Sequence, residues 1–245
     1  MTAVVRMLVR VELKALLRAA LLWTSALVVI ALIGLFRPDA AWVALSYLGP
    51  ASMAILIAEA FAWDGQEPRA RTLEVIPTPR ALRFVAKLAA ALAWGAALHG
   101  LSILLAFGTL AVTRFTPETR FDMLPMVALG GVPAMLWFFG GCLLFAPLAR
   151  NGLVTFVLGA GYAIAAAVLY AWSNPWLRQR GLGIEHALAV HLLSAAMGSF
   201  AGFMVSSAFS GDRWRGAASA AAGTALGVVA SAILVAMGSQ VAQQS

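Results

Sequence analysis

The side chains best suited to chemistry or recognition are gathered in one stretch. Trp63–Lys87, WDGQEPRARTLEVIPTPRALRFVAK, holds eight of the chain's 27 charged residues (17 Lys and Arg, 10 Asp and Glu) and lies between apolar runs of membrane length. Pro68 suits an early helical position, where a missing N–H costs nothing. Residues Arg69–Ile76 therefore predict a short helix, stopped by Pro77 and Pro79 because each restricts the residue before it. Leu73, Val75 and Ile76 would be its apolar knobs, and Arg69, Arg71 and Glu74 could pair with charges on a partner. A rigid element between two membrane helices can transmit a push. The plainer alternative is a solvated loop.

Chemistry elsewhere is sparse. The sequence has no GxxxxGK[ST], no HExxH and no GxSxG, so ATP hydrolysis through a phosphate-binding loop, zinc proteolysis and serine hydrolysis have no recognisable footing. No enzymatic activity, cofactor or metal centre is expected in this chain itself. Its histidines are His99, His186 and His191. His99 falls in the middle of an apolar segment with no second ligand at helical spacing, which favours a packing or hydrogen-bonding role. His186 and His191, five apart, are expected near the outer surface, where a metal or haem contact is the minor reading. Ionisable groups inside a membrane are costly and often functional. Glu59, one turn before Trp63, is the clear example; it could reach headgroups, pair with an arginine, or handle a proton or substrate. The single cysteine, Cys142, excludes an intrachain disulfide and reads as a packing residue.

The elements that must position these residues follow from composition. The 245 residues are 62% hydrophobic and 11% charged, with a mean hydropathy of +0.89. Soluble domains carry roughly 25% charged residues, so this is an integral membrane protein. A spanning helix needs about 20 apolar residues, and the short alternating segments of a barrel are missing. The fold expected is all-α: a polytopic bundle of six or seven transmembrane helices, one membrane domain over 1–245. Seven apolar segments can be drawn, near 19–36, 42–62, 84–112, 124–148, 152–172, 187–209 and 217–238. In a six-helix alternative, 187–209 becomes a re-entrant or partly external hairpin.

The net charge of +7 would suggest nucleic acid in a soluble protein. Here the positive-inside rule explains it, and no nucleic-acid partner is expected. With a cytoplasmic N-terminus, twelve Lys and Arg fall inside and five outside. Trp42, Trp172 and Trp176 then sit near the outer interface and Trp63 and Trp214 near the inner one, while Trp94 and Trp137 lie deeper.

Residues 1–18 carry Arg6, Arg10, Lys14 and Arg18 at four-residue spacing, with Val5, Leu8, Val9, Leu13, Leu16 and Leu17 around them. This predicts an interfacial helix on the inner leaflet, its cations among anionic headgroups; the alternative is a cytoplasmic extension of the first span. The stretch reads as retained rather than as a cleaved signal. Glu12 projects away from the cations, either toward a partner or into solvent.

The last two segments carry matching ridges of small residues. Ser194, Gly198, Gly202 and Ser206 form one, and Ser219, Gly223, Gly227 and Ser231 the other. Such ridges let backbones approach closely in lipid, where apolar burial does not drive association. The two helices are expected to pack on each other or on another copy of the chain.

This order of parts resembles the membrane subunits of type-2 ABC exporters. The resemblance rests on VVRMLVRVELKALLR at the N-terminus, then Glu67, Thr72-Leu73-Glu74, Val75-Ile76, Pro77 and Pro79, and Lys87 leading into the third helix. Arg71 stands where that family usually has glycine, and a seventh apolar segment exceeds its usual six. The haem-exporter permease of cytochrome c maturation is similar in layout.

The resemblance implies that 63–83 is a coupling loop docking on an ATPase, with Glu67, Arg69, Arg71, Thr72, Leu73, Glu74, Val75 and Ile76 at the contact. Arg150, in the turn Ala149–Gly152, would supply a second contact, and Asn174-Pro175 would belong to an outer re-entrant region. The partners implied are two copies of an ABC ATPase subunit, which would bind ATP and Mg, a second permease, identical or homologous, and membrane lipid. The location implied is the cell inner membrane. The expected function is export of a hydrophobic or amphipathic cargo. The alternative is a membrane scaffold or assembly factor that transports nothing.

Overall fold

The structure, a computed structural model, describes residues 2–62, 78–112, 125, 128–129, 131–149, 151–179, 183–206 and 213–244. At 2–3, 39, 176–177, 206, 213–214 and 232–244 it describes the backbone alone. The described residues form seven helices and no strand: α1 Thr2–Gly34, α2 Pro38–Ala62, α3 Arg80–Val112, α4 Val132–Ala149, α5 Gly152–Arg178, α6 Ile184–Ser206 and α7 Arg213–Gln244. Among them six are long and apolar enough to cross a membrane, from α1 to α6. This is a multi-pass, all-α bundle.

Two groups of helices make it. α1, α2 and α3 pack on one another, and α4 packs on α5 and α6. α2 lies against α4 and joins the groups, while α7 covers α6 along an extended contact. The main core runs through the first group into α4, with Leu16, Leu27, Leu45, Ile57, Phe61 and Cys142 fully buried. Large apolar side chains also face outward, among them Leu22, Leu104, Leu153 and Trp172. That inversion suits a lipid surround.

Three sequence expectations change here. The stretch 1–18 is not a separate interfacial helix but, as in the alternative reading, a continuation of the first span, since α1 is unbroken over 33 residues. At 1.5 Å per residue it is about 50 Å long, against a hydrocarbon core of about 30 Å. Its cationic start therefore overhangs the apolar layer while remaining helical. The fourth segment, expected from 124, is not one helix throughout: α4 spans Val132–Ala149, with a turn at Gly131, although 125 and 128–129 before it are also helical. Asn174 and Pro175 lie inside α5, which runs on to Arg178. A proline near a helix end removes a single bond, and Asn174 Oδ1 accepts from Arg178 Nε at 3.1 Å, so the helix continues through it.

α2 carries an internal proline, Pro50. Proline has no N–H, so the Ser46 carbonyl one turn back loses its helical donor. Gly131 stands against that carbonyl, in a space that any β-carbon would enter. One turn along, His99 of α3 donates from Nε2 to Ala128 O at 3.1 Å. The chain approaching α4 is thus held against α2 and α3 before the helix begins.

Candidate functional site

The site is the end of the bundle that holds the start of α1. There α2 finishes at Ala62 and α3 begins at Arg80, so the charged stretch 63–77 departs from and returns to this end. Lys87, two turns into α3, is 2% exposed. A buried ammonium needs partners, and it has three kinds. Its Nζ lies 3.3 Å from Glu12 Oε2 and donates to Ala60 O at 2.8 Å. It also sits 5.9 Å from the centre of the Phe61 ring, within cation–π range.

Each partner follows from helix chemistry. Ala60 is among the last four residues of α2, whose carbonyls have no helical donor. A cation there also meets the negative end of the helix dipole. Glu12 balances the charge from the overhanging part of α1. It therefore neither faces solvent nor waits for another protein; it is the counter-ion of Lys87. Next to it, Trp94 Nε1 donates to Leu13 O at 3.0 Å, a second tie between α1 and α3.

Aromatic rings close the same end. Phe61, Phe84, Phe200 and Phe203 join α2, α3 and α6 with ring centres 5.4–5.6 Å apart. Arg83 Nε donates to Thr78 Oγ1 at 2.9 Å, and Arg80 reaches Met204 O at 3.4 Å. The residues just before α3 and the last turns of α6 are tied into one platform. Glu59 lies on its α5 side: a β-carbon at Gly152 would sit 2.8 Å from Glu59 Oε1.

Glu67, Arg69, Arg71, Thr72, Leu73, Glu74, Val75, Ile76 and Arg150 lie outside the described residues. The platform they leave from is described, and its central residue is Lys87. Sequence reasoning quoted Lys87 only as a family feature at the start of a helix. The available signal was a lysine at the fourth position of the apolar segment 84–112, which has no other Asp, Glu, Lys or Arg.

The histidines separate. His191 is buried, not at the outer surface: its Nε2 donates to Trp137 O at 2.9 Å. The ring stacks on Tyr162 with centres 5.3 Å apart and tilts against Trp137 at 4.5 Å. Gly140 makes room for it, since a β-carbon there would collide with the imidazole. His186 lies beside Glu185 at the start of α6, 3.2 Å away, and shares nothing with His191. Among the described residues, no three His, Cys, Asp or Glu side chains gather where a metal could bind. His99 faces the α2–α3 seam, where Ser102 Oγ donates to the His99 carbonyl at 2.7 Å.

The small-residue ridges meet each other. β-carbons at Gly223 and Gly227 would lie 2.7 Å from Met197 O and 2.6 Å from Ser194 Cα. Gly198 faces Thr224 and Ala220, and Gly202 has the Ala220 methyl opposite it. Ser219 Oγ donates across the seam to Ala201 O at 3.2 Å. Ser231 is bonded to its own helix, at Gly227 O. The Ser206 side chain lies outside the described residues.

The chain matches no protein-family model, no curated protein and no solved structure.

Proposed function

We propose that this chain is the membrane-spanning permease subunit of an ATP-driven exporter of the ABC type. It would work with a second permease and two separate ATPase subunits, in the inner membrane with its N-terminus cytoplasmic. Its cargo would be hydrophobic or amphipathic. The observation that carries this reading is Lys87. One buried ammonium ties α1, α2 and α3 together where the charged stretch 63–77 leaves and rejoins the bundle. A push on that stretch would move three helices as a unit rather than bend one. The six spanning helices supply the wall, and the apolar surfaces suit an apolar cargo.

ATP-driven closure of the partner subunits would shift the bundle between two arrangements. That shift needs no chemistry in this chain, only a difference in contact between the two states. The test is co-purification from native membranes with gentle detergent. The expected companion is an ATPase bearing GxxxxGK[ST], at one copy per permease. Recovery of this chain alone, or only with other membrane proteins, would overturn the reading in favour of a scaffold.

A further inference from the structure

Two contacts mark the ends of the apolar layer on this bundle. At one end Ala41 of α2 stands against Gly34 of α1, with Thr109 of α3 beside it. At the other, Ala60 O meets Lys87 Nζ. Ala41 and Ala60 are 19 residues apart, about 28 Å of helix, which matches a hydrocarbon core of about 30 Å. Depth along α2 can therefore be read from Ala41. The chain before α4 does not stay at that end. Gly131 packs against the Ser46 carbonyl and the Tyr47 Cα, about 8 Å below Ala41. Ala128 O takes its hydrogen bond from His99. His99 lies beside Gly49, about 12 Å below Ala41.

This level is polar for its depth. Ser46, Ser52 and Ser102 are buried there, and Pro50 takes the helical donor away from the Ser46 carbonyl. Residues 128–129 are helical and Gly131 is a turn, so a helical piece ends inside the layer. Its last carbonyls have no helical donor, and lipid supplies none. Such a break at membrane depth is tolerated where protein covers it or water reaches it. Here His99 covers the Ala128 carbonyl. α4 then starts already inside the layer, and its 18 residues need only about 27 Å.

We propose that the chain through Ala128, Leu129 and Gly131 is a re-entrant strap, latched by His99, that seals the Ser46–Gly49–Ser102 level from water at the Gly34 end of the bundle. Gly131 lets the strap lie directly on α2 at the Pro50 break, because no side chain stands between the backbones. His99 is the latch, because its hydrogen bond holds the strap to α3. Breaking that one bond admits water nearly half-way through the layer without parting two spanning helices. The strap does not depend on the permease reading.

The experiment uses the full chain with Cys142→Ser in phosphatidylcholine nanodiscs. A nitroxide on Leu129→Cys is compared with one on Leu104→Cys and one on Val112→Cys, all three exposed positions, by collision with oxygen and with a soluble nickel chelate. Leu104 lies about 8 Å below Thr109 along α3, and Val112 lies beyond Thr109. The label at 129 should report the depth of Leu104. The depth of Val112 would overturn the strap. The latch is read on Ser102→Cys with a charged, membrane-impermeant methanethiosulfonate. Labelling should be slow, and His99→Phe should speed it about tenfold, the effect of roughly one lost hydrogen bond on the open population. Gly223→Ala, which loosens the distant α6–α7 seam, should leave it slow. Equal rates with and without His99 overturn the latch, as does equal acceleration by Gly223→Ala. Should His99→Phe fail to fold, Gly131→Ala, which pushes the strap off the Ser46 carbonyl, is read by the same outcomes. A missing ATPase partner would remove the permease reading and leave both measurements untouched.

Discussion

Lys87 and Glu12, 75 positions apart in sequence, meet with Nζ and Oε2 at 3.3 Å. The lysine is 2% exposed and the glutamate 15%. Removing one member of a buried pair leaves a charge without its counter-ion and costs about 3–5 kcal/mol, whereas replacing both with apolar groups is often near neutral. Glu12→Leu should therefore lower the melting temperature in detergent strongly. The double variant Glu12→Leu/Lys87→Met should recover most of the loss. Additive losses in this cycle would show that the two residues act independently.

His191 and Gly140 give a prediction of opposite signs at two glycines. Gly140→Ala drives a methyl into the buried imidazole and should destabilise by about 1–3 kcal/mol. Gly100 lies inside α3 with nothing within 4 Å of its β-carbon position. Gly100→Ala should be neutral or stabilise by up to about 1 kcal/mol through helix propensity. Thermal unfolding of the two variants side by side reads both.

The seam between α6 and α7 depends on missing β-carbons. Gly223→Ala and Gly227→Ala each place a methyl within 2.6–2.8 Å of the facing helix, so the helices must separate. Each should cost about 1–3 kcal/mol. A cysteine pair at Ser219 and Ala201, in the Cys142→Ser background, should crosslink readily in wild type and slowly in Gly223→Ala. Equal crosslinking would place the helices apart already.

His99→Phe removes the donor to the Ala128 carbonyl while keeping a ring of similar size. The chain before α4 should loosen, and amide exchange at 128–131 should rise several-fold with little change elsewhere. Uniform exchange throughout the protein would instead indicate general destabilisation.

Much of the architecture is written in local patterns. Apolar run lengths mark the six spans, because lipid thickness imposes a length that each segment must meet alone. The spacing of Ser194, Gly198, Gly223 and Gly227 likewise marks a close-packing ridge, because helical period and residue size suffice. Pairings across the fold are another matter. Nothing local joins Glu12 to Lys87, and the overhang of α1 that brings them level depends on where the helix ends. His191 misled for a related reason: five residues from His186 is more than a full turn of depth, enough to move from the rim into the bundle. The Gly140 notch that receives it is 51 positions away.

The central claim is that the stretch rooted on the Lys87 platform couples an ATPase to the membrane helices. The direct measurement is ATP turnover of the reconstituted permease–ATPase complex, wild type against Leu73→Asp/Glu74→Arg, with assembly followed by size exclusion. Loss of the complex, or turnover reduced to that of the free ATPase, is the predicted result. Unchanged assembly and turnover would contradict the account and leave the stretch a solvated connection between two helices.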